Sequence, residues 1–301
     1  MLRFKLRTLL LTTAITAAVI GYYGHRIPTL SKAGEAYEKL ALHWAVGSNQ
    51  TIAQNSFRKF IDWPARKFLE NEGDTIAWDV ADSTSSLWLR EIGNENSLEG
   101  LEHFRKLTQL ELNPRASGIE IDGDEFKYIA KLKRLDKLFI ADCHVSAEGL
   151  THLQELELSH LECGSRRWGN NELDEIGKLT SLRELSIYCS AFHANRIQNL
   201  KELKELSVCV SSLGSLDGIE KLTKLESILL WGFVSDAHLA ALKNVKGLKQ
   251  VTFQNTPFEG DCIEKLLEFP ALEKVKFVDC WPNIQKLEAA GITVEQAVPK
   301  Y

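Results

Sequence analysis

The stretch Leu182-Arg183-Glu184-Leu185-Ser186-Ile187 has apolar residues at its first, fourth and sixth positions. The last two are separated by one residue, so in an extended strand both point to one face, while Ser186 points to the other. The same pattern occurs nine times, and only its first occurrence begins with a polar residue. The first positions are Thr84, Leu107, Leu135, Leu158, Leu182, Leu203, Leu225, Leu248 and Leu272. The pattern predicts short strands that each have one core face.

The nine occurrences follow one another at intervals of 21 to 28 residues. The mean interval is about 23.5 residues, within the range of roughly 20 to 29 that is typical of leucine-rich repeats. One unit of this size cannot bury its apolar face alone, but stacked units form a continuous core beneath a parallel sheet. We therefore predict an α/β leucine-rich repeat solenoid over residues 79–283, with a curved sheet of about nine units and short helices on the convex side.

The segments between the strands support the same fold. Apolar residues fall there at three-residue steps, as in Leu239, Leu242 and Val245, which indicates an outer helix or a 3₁₀ turn. Two segments open with Val145-Ser146-Ala147-Glu148-Gly149-Leu150 and Val234-Ser235-Asp236-Ala237-His238-Leu239, in which the serine can cap a helix. They resemble the V-[ST]-D-x-G-L units of bacterial membrane-anchored leucine-rich repeat proteins. This resemblance covers about two thirds of the chain.

One position departs from that family. Eight residues after the first apolar position, a typical repeat has Asn or Cys, which hydrogen-bonds to the backbone of the turn. This chain has Ile92, Arg115, Cys143, Arg166, Ser190, Ser211, Phe233, Thr256 and Cys280 there. Five of these can make the usual bond, so the turns at Ile92, Arg115, Arg166 and Phe233 are expected to be irregular. The long step after Leu107 indicates an inserted loop over residues 113–118.

The N-terminal region predicts a membrane anchor. Residues 1–7 are basic, and residues 8–24 form a run of 17 residues without a charge, about 25 Å long as a helix. Basic residues are more numerous before the run than after it, so we expect a cytoplasmic N-terminus and extracytoplasmic repeats. A secreted protein with a cleaved signal peptide is the alternative. Residues 25–78 are expected to form a helical juxtamembrane region and N-terminal cap, and residues 284–301 a C-terminal cap.

Composition and motifs argue against several functions. The net charge is −5, with mixed Lys and Glu and no basic field for nucleic acid. No catalytic motif is present, so we expect no enzyme, no cofactor and no small-molecule substrate. Cys143, His144, His160 and Cys163 could bind zinc by type, but the repeat register points the two cysteines inward and His160 outward, so no metal site is expected. Cys189 and Cys209 are the one pair of cysteines that could form a disulfide.

The free, concave face of the sheet is the expected binding surface. It is formed by the residues between the second and third apolar positions and by those just after the third. Its candidate partner-binding residues are Trp88, Phe139, Tyr188, Leu229, Trp231, Glu184, Glu205 and Glu226, with Lys249, Lys274 and Lys276 gathered nearer the C-terminus. Exposed apolar patches mark partner sites. We expect a membrane-tethered scaffold that binds a protein or envelope polymer. The alternative is an architectural repeat protein or an intracellular adaptor without a ligand on this face.

Overall fold

The computed structural model of the chain describes residues 85–89, 98, 101–112, 119–121, 123–140, 143–256, 262–280 and 282–297. The elements in chain order are β1 (Ser86–Leu89), β2 (Gln109–Leu112), β3 (Ile119–Ile121), α1 (Phe126–Ile129), β4 (Lys137–Ile140), β5 (Cys143–Val145), α2 (Ala147–Thr151), β6 (His160–Gly164), α3 (Asn170–Ile176), β7 (Glu184–Phe192), β8 (Glu205–Leu213), β9 (Ser227–Trp231), α4 (Asp236–Leu242), β10 (Gln250–Gln254), α5 (Cys262–Lys265), β11 (Lys274–Val278), α6 (Gln285–Ala289) and β12 (Thr293–Ala297).

Ten of these strands form one parallel sheet in the order β1-β2-β4-β6-β7-β8-β9-β10-β11-β12. The strands pair so that equivalent repeat positions are neighbours. The second apolar positions from β2 to β11 are Leu110, Leu138, Leu161, Leu185, Leu206, Ile228, Val251 and Val275. All of them are buried. The predicted register is confirmed wherever it can be compared, and the sheet with its short helices is a leucine-rich repeat solenoid.

The outer segments are short helices and 3₁₀ turns, as predicted. The 3₁₀ turns are Leu101–His103, Gly123–Glu125, His152–Glu155, Ala194–Arg196, Ile219–Lys221 and Leu266–Glu268. Ser146 caps α2, because its Oγ accepts a hydrogen bond of 3.3 Å from the backbone N–H of Gly149. At α4 the buried His238 has a similar role. Its Nδ1 accepts a bond of 2.9 Å from the Ser235 backbone N–H, and its Nε2 donates to the Gly214 carbonyl at 2.7 Å.

Hydrogen bonds between units satisfy the backbone where the strands end. Thr256 Oγ1 donates to the Leu230 carbonyl at 3.4 Å, and Cys280 Sγ donates to the Phe253 carbonyl at 3.3 Å. Each bond links a turn to the strand of the preceding unit. These two residues therefore do what Asn or Cys does in a typical repeat, as the sequence predicted.

The middle units use a different arrangement. The turn at Arg166 lacks the usual polar residue, and two residues later the buried Trp168 donates from Nε1 to the Val145 carbonyl at 2.9 Å. The Trp168 carbonyl in turn accepts a bond of 2.8 Å from Ser190 Oγ. Ser190 therefore bonds to the preceding unit.

The chain does not turn at Ser190 and Ser211. Strands β7 and β8 are each nine residues long and continue through these positions. They remain paired as far as Phe192 and Leu213. The extra pairing supplies the backbone partners that a turn would otherwise need.

The apolar side chains of the last units are buried less completely than those of the preceding units. Leu272, which was expected to be a core position, is only partly buried, and so are Ile284, Ile292 and Val294 of the final unit. This final unit consists of α6 and β12, and β12 pairs with β11. Because the described residues place no further strand beyond β12, the side chains of the final unit have a neighbouring unit on one side only.

Several predictions concern residues outside the described ranges. They include residues 1–7, 8–24 and 25–78, the loop 113–118 and the turn residues Ile92 and Arg115. Within the described ranges, no helix combines the length and the apolar character needed to cross a membrane. The predicted domain boundaries therefore stay predictions.

The buried ladder predicts the effect of a core truncation. Leu185 is 2% exposed in the centre of the sheet, so Leu185→Ala should lower the free energy of unfolding by about 2 to 5 kcal/mol. Ser186→Ala on the same strand points to the free face and should change it by about 0.5 kcal/mol or less. Urea unfolding followed by circular dichroism measures both. Equal effects of the two variants would show that the register is wrong.

Candidate partner-binding face

The free face of the sheet comprises the side chains that alternate with the buried ladder. One row across it joins the strand ends from β6 to β10. Its members are in register and are Gly164, Tyr188, Cys209, Trp231 and Gln254. Tyr188 and Trp231 are two strands apart, as predicted, so their backbones lie about 9 to 10 Å from each other. The row therefore brings both aromatic residues to one part of the face.

Two aromatic side chains at the end of β9 are exposed to solvent. Trp231 is 41% exposed and Phe233 is 47% exposed. Among the described residues, the only other large apolar side chain that is exposed is that of Leu267, in the outer turn after α5. We call Tyr188, Leu229, Trp231 and Phe233 the aromatic patch.

The sequence analysis did not assign Phe233 to the binding surface. A signal was nevertheless present, because Phe233 occupies a turn position whose usual occupant hydrogen-bonds to the backbone. A phenyl ring cannot make that bond. Gly232, with a φ of 119°, redirects the chain between Trp231 and Phe233, and such a φ is rare for any other residue. Sequence alone did not show that the ring points to solvent.

Tyr188 is held in place by two neighbours from the preceding unit. Arg166 Nε donates a short hydrogen bond to the Tyr188 hydroxyl. Gly164 lies beside Tyr188 in the sheet and has a φ of 151°. A Cβ at position 164 would lie 2.0 Å from the Tyr188 carbonyl oxygen. The close backbone approach at Gly164 and the bond from Arg166 together fix the orientation of the tyrosine.

The other predicted residues lie at different places on the face. Phe139 in β4 is half-buried, and its ring centroid lies 4.9 Å from that of His160 in β6. His160 Nδ1 is 2.6 Å from Glu184 Oε2, so these three side chains form a contact chain across three strands. Trp88 lies in β1, in register with Glu111. The structure therefore divides the predicted residues between an N-terminal group and the aromatic patch.

Leu229 is on the same strand as Trp231, between Ser207 and Thr252 of the neighbouring strands. It is half-buried, whereas Thr252 beside it is 5% exposed. Leu229 is therefore the less exposed residue of the aromatic patch on β9, whereas Trp231 at the strand end and Phe233 two residues later are exposed.

Acidic residues border the aromatic patch at the strand starts. Glu184 and Glu205 are in register on β7 and β8, and Glu226 immediately precedes β9. Glu205 and Glu226 are exposed. Together with the outward Glu162 of β6, these residues give the middle of the face an acidic character. Strands β6–β9 contain no Lys or Arg.

The expected basic group near the C-terminus is largely paired with acidic residues. Lys249 Nζ lies 3.1 Å from Glu226 Oε2, and Lys274 Nζ lies 2.7 Å from Glu295 Oε1. The hydrogen bond from Lys274 lowers the pKa of Glu295, and the charges of Lys274 and Lys276 lower it further. This end of the face therefore carries balanced charge.

Cys189 and Cys209, the pair that could form a disulfide, are not bonded to each other in the structure. Cys189 is fully buried because β7 continues past Tyr188 and keeps its alternation, whereas Cys209 lies in the outward row with Tyr188 and Trp231. Both cysteines are free thiols. Burial raises the pKa of Cys189 to about 12, so this thiol remains protonated near neutral pH.

Of the group Cys143, His144, His160 and Cys163, the structure describes the side chains of His160 and Cys163. Cys163 is buried, whereas His160 is on the free face beside Glu184. Burial raises the pKa of the Cys163 thiol well above its usual range, which disfavours the thiolate that would bind a metal. Over the described ranges, no three His, Cys, Asp or Glu side chains gather to hold a metal ion.

The fold and its face define the class of protein as a leucine-rich repeat solenoid with a partly aromatic, partly acidic free face. Comparisons with known proteins agree at the level of the fold. No protein-family model and no curated protein matches the chain. The chain is similar to the crystal structure of TLR13 in complex with ssRNA13, with a TM-score of 0.51 and 16% identity. The alignment covers 73% of this chain and 37% of the TLR13 chain.

A second similar structure is the internalin inlF from Listeria monocytogenes. It is 14% identical, with a TM-score of 0.33, and the alignment covers 77% of this chain and 92% of the internalin chain. At 16% identity, the similarity to the TLR13 structure concerns the fold alone.

Gly164 provides a test of how the face is built. Gly164→Ala should lower the free energy of unfolding by about 1 to 3 kcal/mol, because the new Cβ overlaps the Tyr188 backbone. It should also alter the near-ultraviolet circular dichroism of Tyr188. Gly169→Ala in the same connection is the matched control, since no atom lies within 4 Å of a Cβ there. A Gly164→Ala variant as stable as the control would contradict the described backbone approach.

Proposed function

We propose that the chain is an interaction scaffold that binds a macromolecular partner on its free face through the aromatic patch. The supporting observation is the exposure of Trp231 and Phe233 beside Tyr188, in a sheet whose other described outward positions are mainly polar. Exposed aromatic residues that gather at one place are typical of binding hot spots. The solenoid places them on a regular surface, because strands β7, β8 and β9 are each paired on both sides.

We further propose that the scaffold is tethered to a membrane by residues 8–24, with the repeats outside the cytoplasm. This proposal rests on the uncharged run and on the basic residues before it. The partner would then be an extracytoplasmic protein or an envelope polymer. No enzymatic activity is proposed, because the candidate residues are exposed aromatic and acidic side chains without a nucleophile and base in contact.

Nucleic acid is not the proposed partner. The TLR13 structure contains ssRNA13, and that ligand is a property of TLR13. In this chain, the outward positions of β6–β9 carry Glu162, Glu184 and Glu205 and no Lys or Arg. A phosphate backbone would meet like charge at this surface, whereas nucleic-acid binding depends on neutralising it.

Truncation of the aromatic patch tests the binding proposal. Tyr188→Ala combined with Trp231→Ala should leave the protein folded, because both side chains lie on the free face outside the buried ladder, Trp231 being 41% exposed and Tyr188 half-buried. Each truncation should weaken partner capture by more than about 1 kcal/mol. Crosslinking capture from intact membranes, quantified by mass spectrometry, measures the loss. Leu267→Ala removes an exposed apolar side chain from the outer surface and serves as the control.

Unchanged capture by the folded double variant would falsify the patch proposal and favour an architectural repeat protein. Loss of folding would mean that Tyr188 or Trp231 belongs to the core.

Protease accessibility tests the membrane proposal. Protease added to intact spheroplasts should degrade the repeats and leave a small protected N-terminal fragment, because only residues before the anchor would be cytoplasmic. Permeabilised spheroplasts are the control, in which that fragment should also disappear. Recovery of the full-length chain in the soluble fraction would contradict both the anchored and the secreted alternatives.

A further inference from the structure

The acidic residues beside the aromatic patch differ in how far they are neutralised. Glu184 contacts His160, and Glu226 forms a salt bridge with Lys249. Glu162 and Glu205 are exposed, and the described part of the chain provides no salt bridge to either. Two exposed carboxylates on the free face therefore keep their charge uncompensated by neighbouring side chains.

Basic residues lie near both ends of these strands. Arg183 and Lys204 immediately precede Glu184 and Glu205. The pKa of Glu202 is lowered first by a hydrogen bond from Lys224, and the charges of Arg183 and Lys204 lower it further. At the other end, Arg166 bonds to the Tyr188 hydroxyl. Burial raises the pKa of Cys209, and the charge of Arg166 opposes that rise. Within strands β6–β9 themselves, the outward charged residues are glutamates.

Glu205 and the row with Tyr188 and Trp231 lie at opposite ends of the strands, whereas Glu162 lies in the middle of β6, two residues before Gly164. Glu205 begins β8, and Cys209, beside Tyr188 and Trp231, is four residues further along. At about 3.3 Å per residue this separation is about 13 Å. An extended chain of about four residues covers that distance. A ligand that contacts both ends therefore needs two different chemical groups at that separation.

We infer that the partner is a protein segment that presents a Lys or Arg side chain a few residues from an apolar side chain. The cation would pair with Glu205 or with Glu162, which the register places two strands and two residues apart, and the apolar group would pack on Trp231 and Phe233. An arginine could also stack on the exposed face of Trp231, because aromatic faces attract cations. This inference rests on the proposed binding function and narrows its partner to one chemical class. An uncharged polymer would leave the carboxylates unused, and an anionic one would be repelled.

A pair of matched peptides tests the inference with the full-length protein in detergent micelles. The first is a fluorescent synthetic peptide in which Arg and Leu alternate with Ser, and the second has Glu in place of every Arg. Fluorescence anisotropy should show saturable binding of the basic peptide and none of the acidic one. Glu162→Lys combined with Glu205→Lys should weaken binding of the basic peptide more than about tenfold.

The control variant combines Glu157→Lys with Glu220→Lys. Both residues are exposed and lie outside the sheet, after the turn His152–Glu155 and in the turn Ile219–Lys221. This variant has the same net charge as the test variant and should bind the basic peptide as the wild type does. Equal weakening by both variants would show general charge attraction and overturn the inference. Absence of binding by the basic peptide would overturn it as well.

The partner captured from membranes separates this inference from the proposed function. If the double variant Tyr188→Ala and Trp231→Ala loses capture of the partner but the double variant Glu162→Lys and Glu205→Lys keeps it, the binding function stands. The inference that the partner is basic is then overturned. Capture that survives the aromatic truncations would overturn the binding function itself. Capture that is lost with both variants, and kept with the charge control, supports both.

Discussion

The structure depends on one constraint, which is that each unit can bury its apolar face only against its neighbours. Two inward residues of every strand contribute to a ladder that runs beneath the sheet, as with Leu185 between Leu161 and Leu206. Because the ladder requires equivalent residues to be adjacent, it also fixes the register of the outward residues. The free face is therefore as regular as the core beneath it.

The irregular turns in the middle of the solenoid shape the surface above them. At Arg166, where a polar turn residue is missing, Trp168 supplies an indole N–H. The next two strands, β7 and β8, extend to nine residues through Ser190 and Ser211. The connection with Trp168 also contains Gly164, which lets the chain approach Tyr188, and Arg166, which bonds to its hydroxyl. A departure from the repeat pattern thus positions one of the aromatic residues of the patch.

Charge varies along the free face because the strands differ in their partners. Toward the C-terminus, lysines pair with Glu226 and Glu295, so positive and negative charge balance. In the middle, Glu162 and Glu205 have no such partner among the described residues. An acidic border next to exposed aromatic rings provides one surface with both apolar and electrostatic contacts, a combination that supports affinity and selectivity together.

The sequence by itself determined the repeat length, the parallel sheet, the inward residues and the row that contains Tyr188 and Trp231. These follow from a local rule, because side chains alternate between the two faces of a strand whatever surrounds it. Only the tertiary structure showed that Cys189 is a core residue, since its direction depends on how far β7 continues past Tyr188.

Tertiary structure also decided the bond from Trp168 to Val145, the pairing of Lys249 and Lys274 with glutamates, and the exposure of Phe233. Each of these joins residues of different units or depends on what covers a side chain. The spacing of apolar residues within one unit contains no information about such contacts, because they are settled only when the units stack.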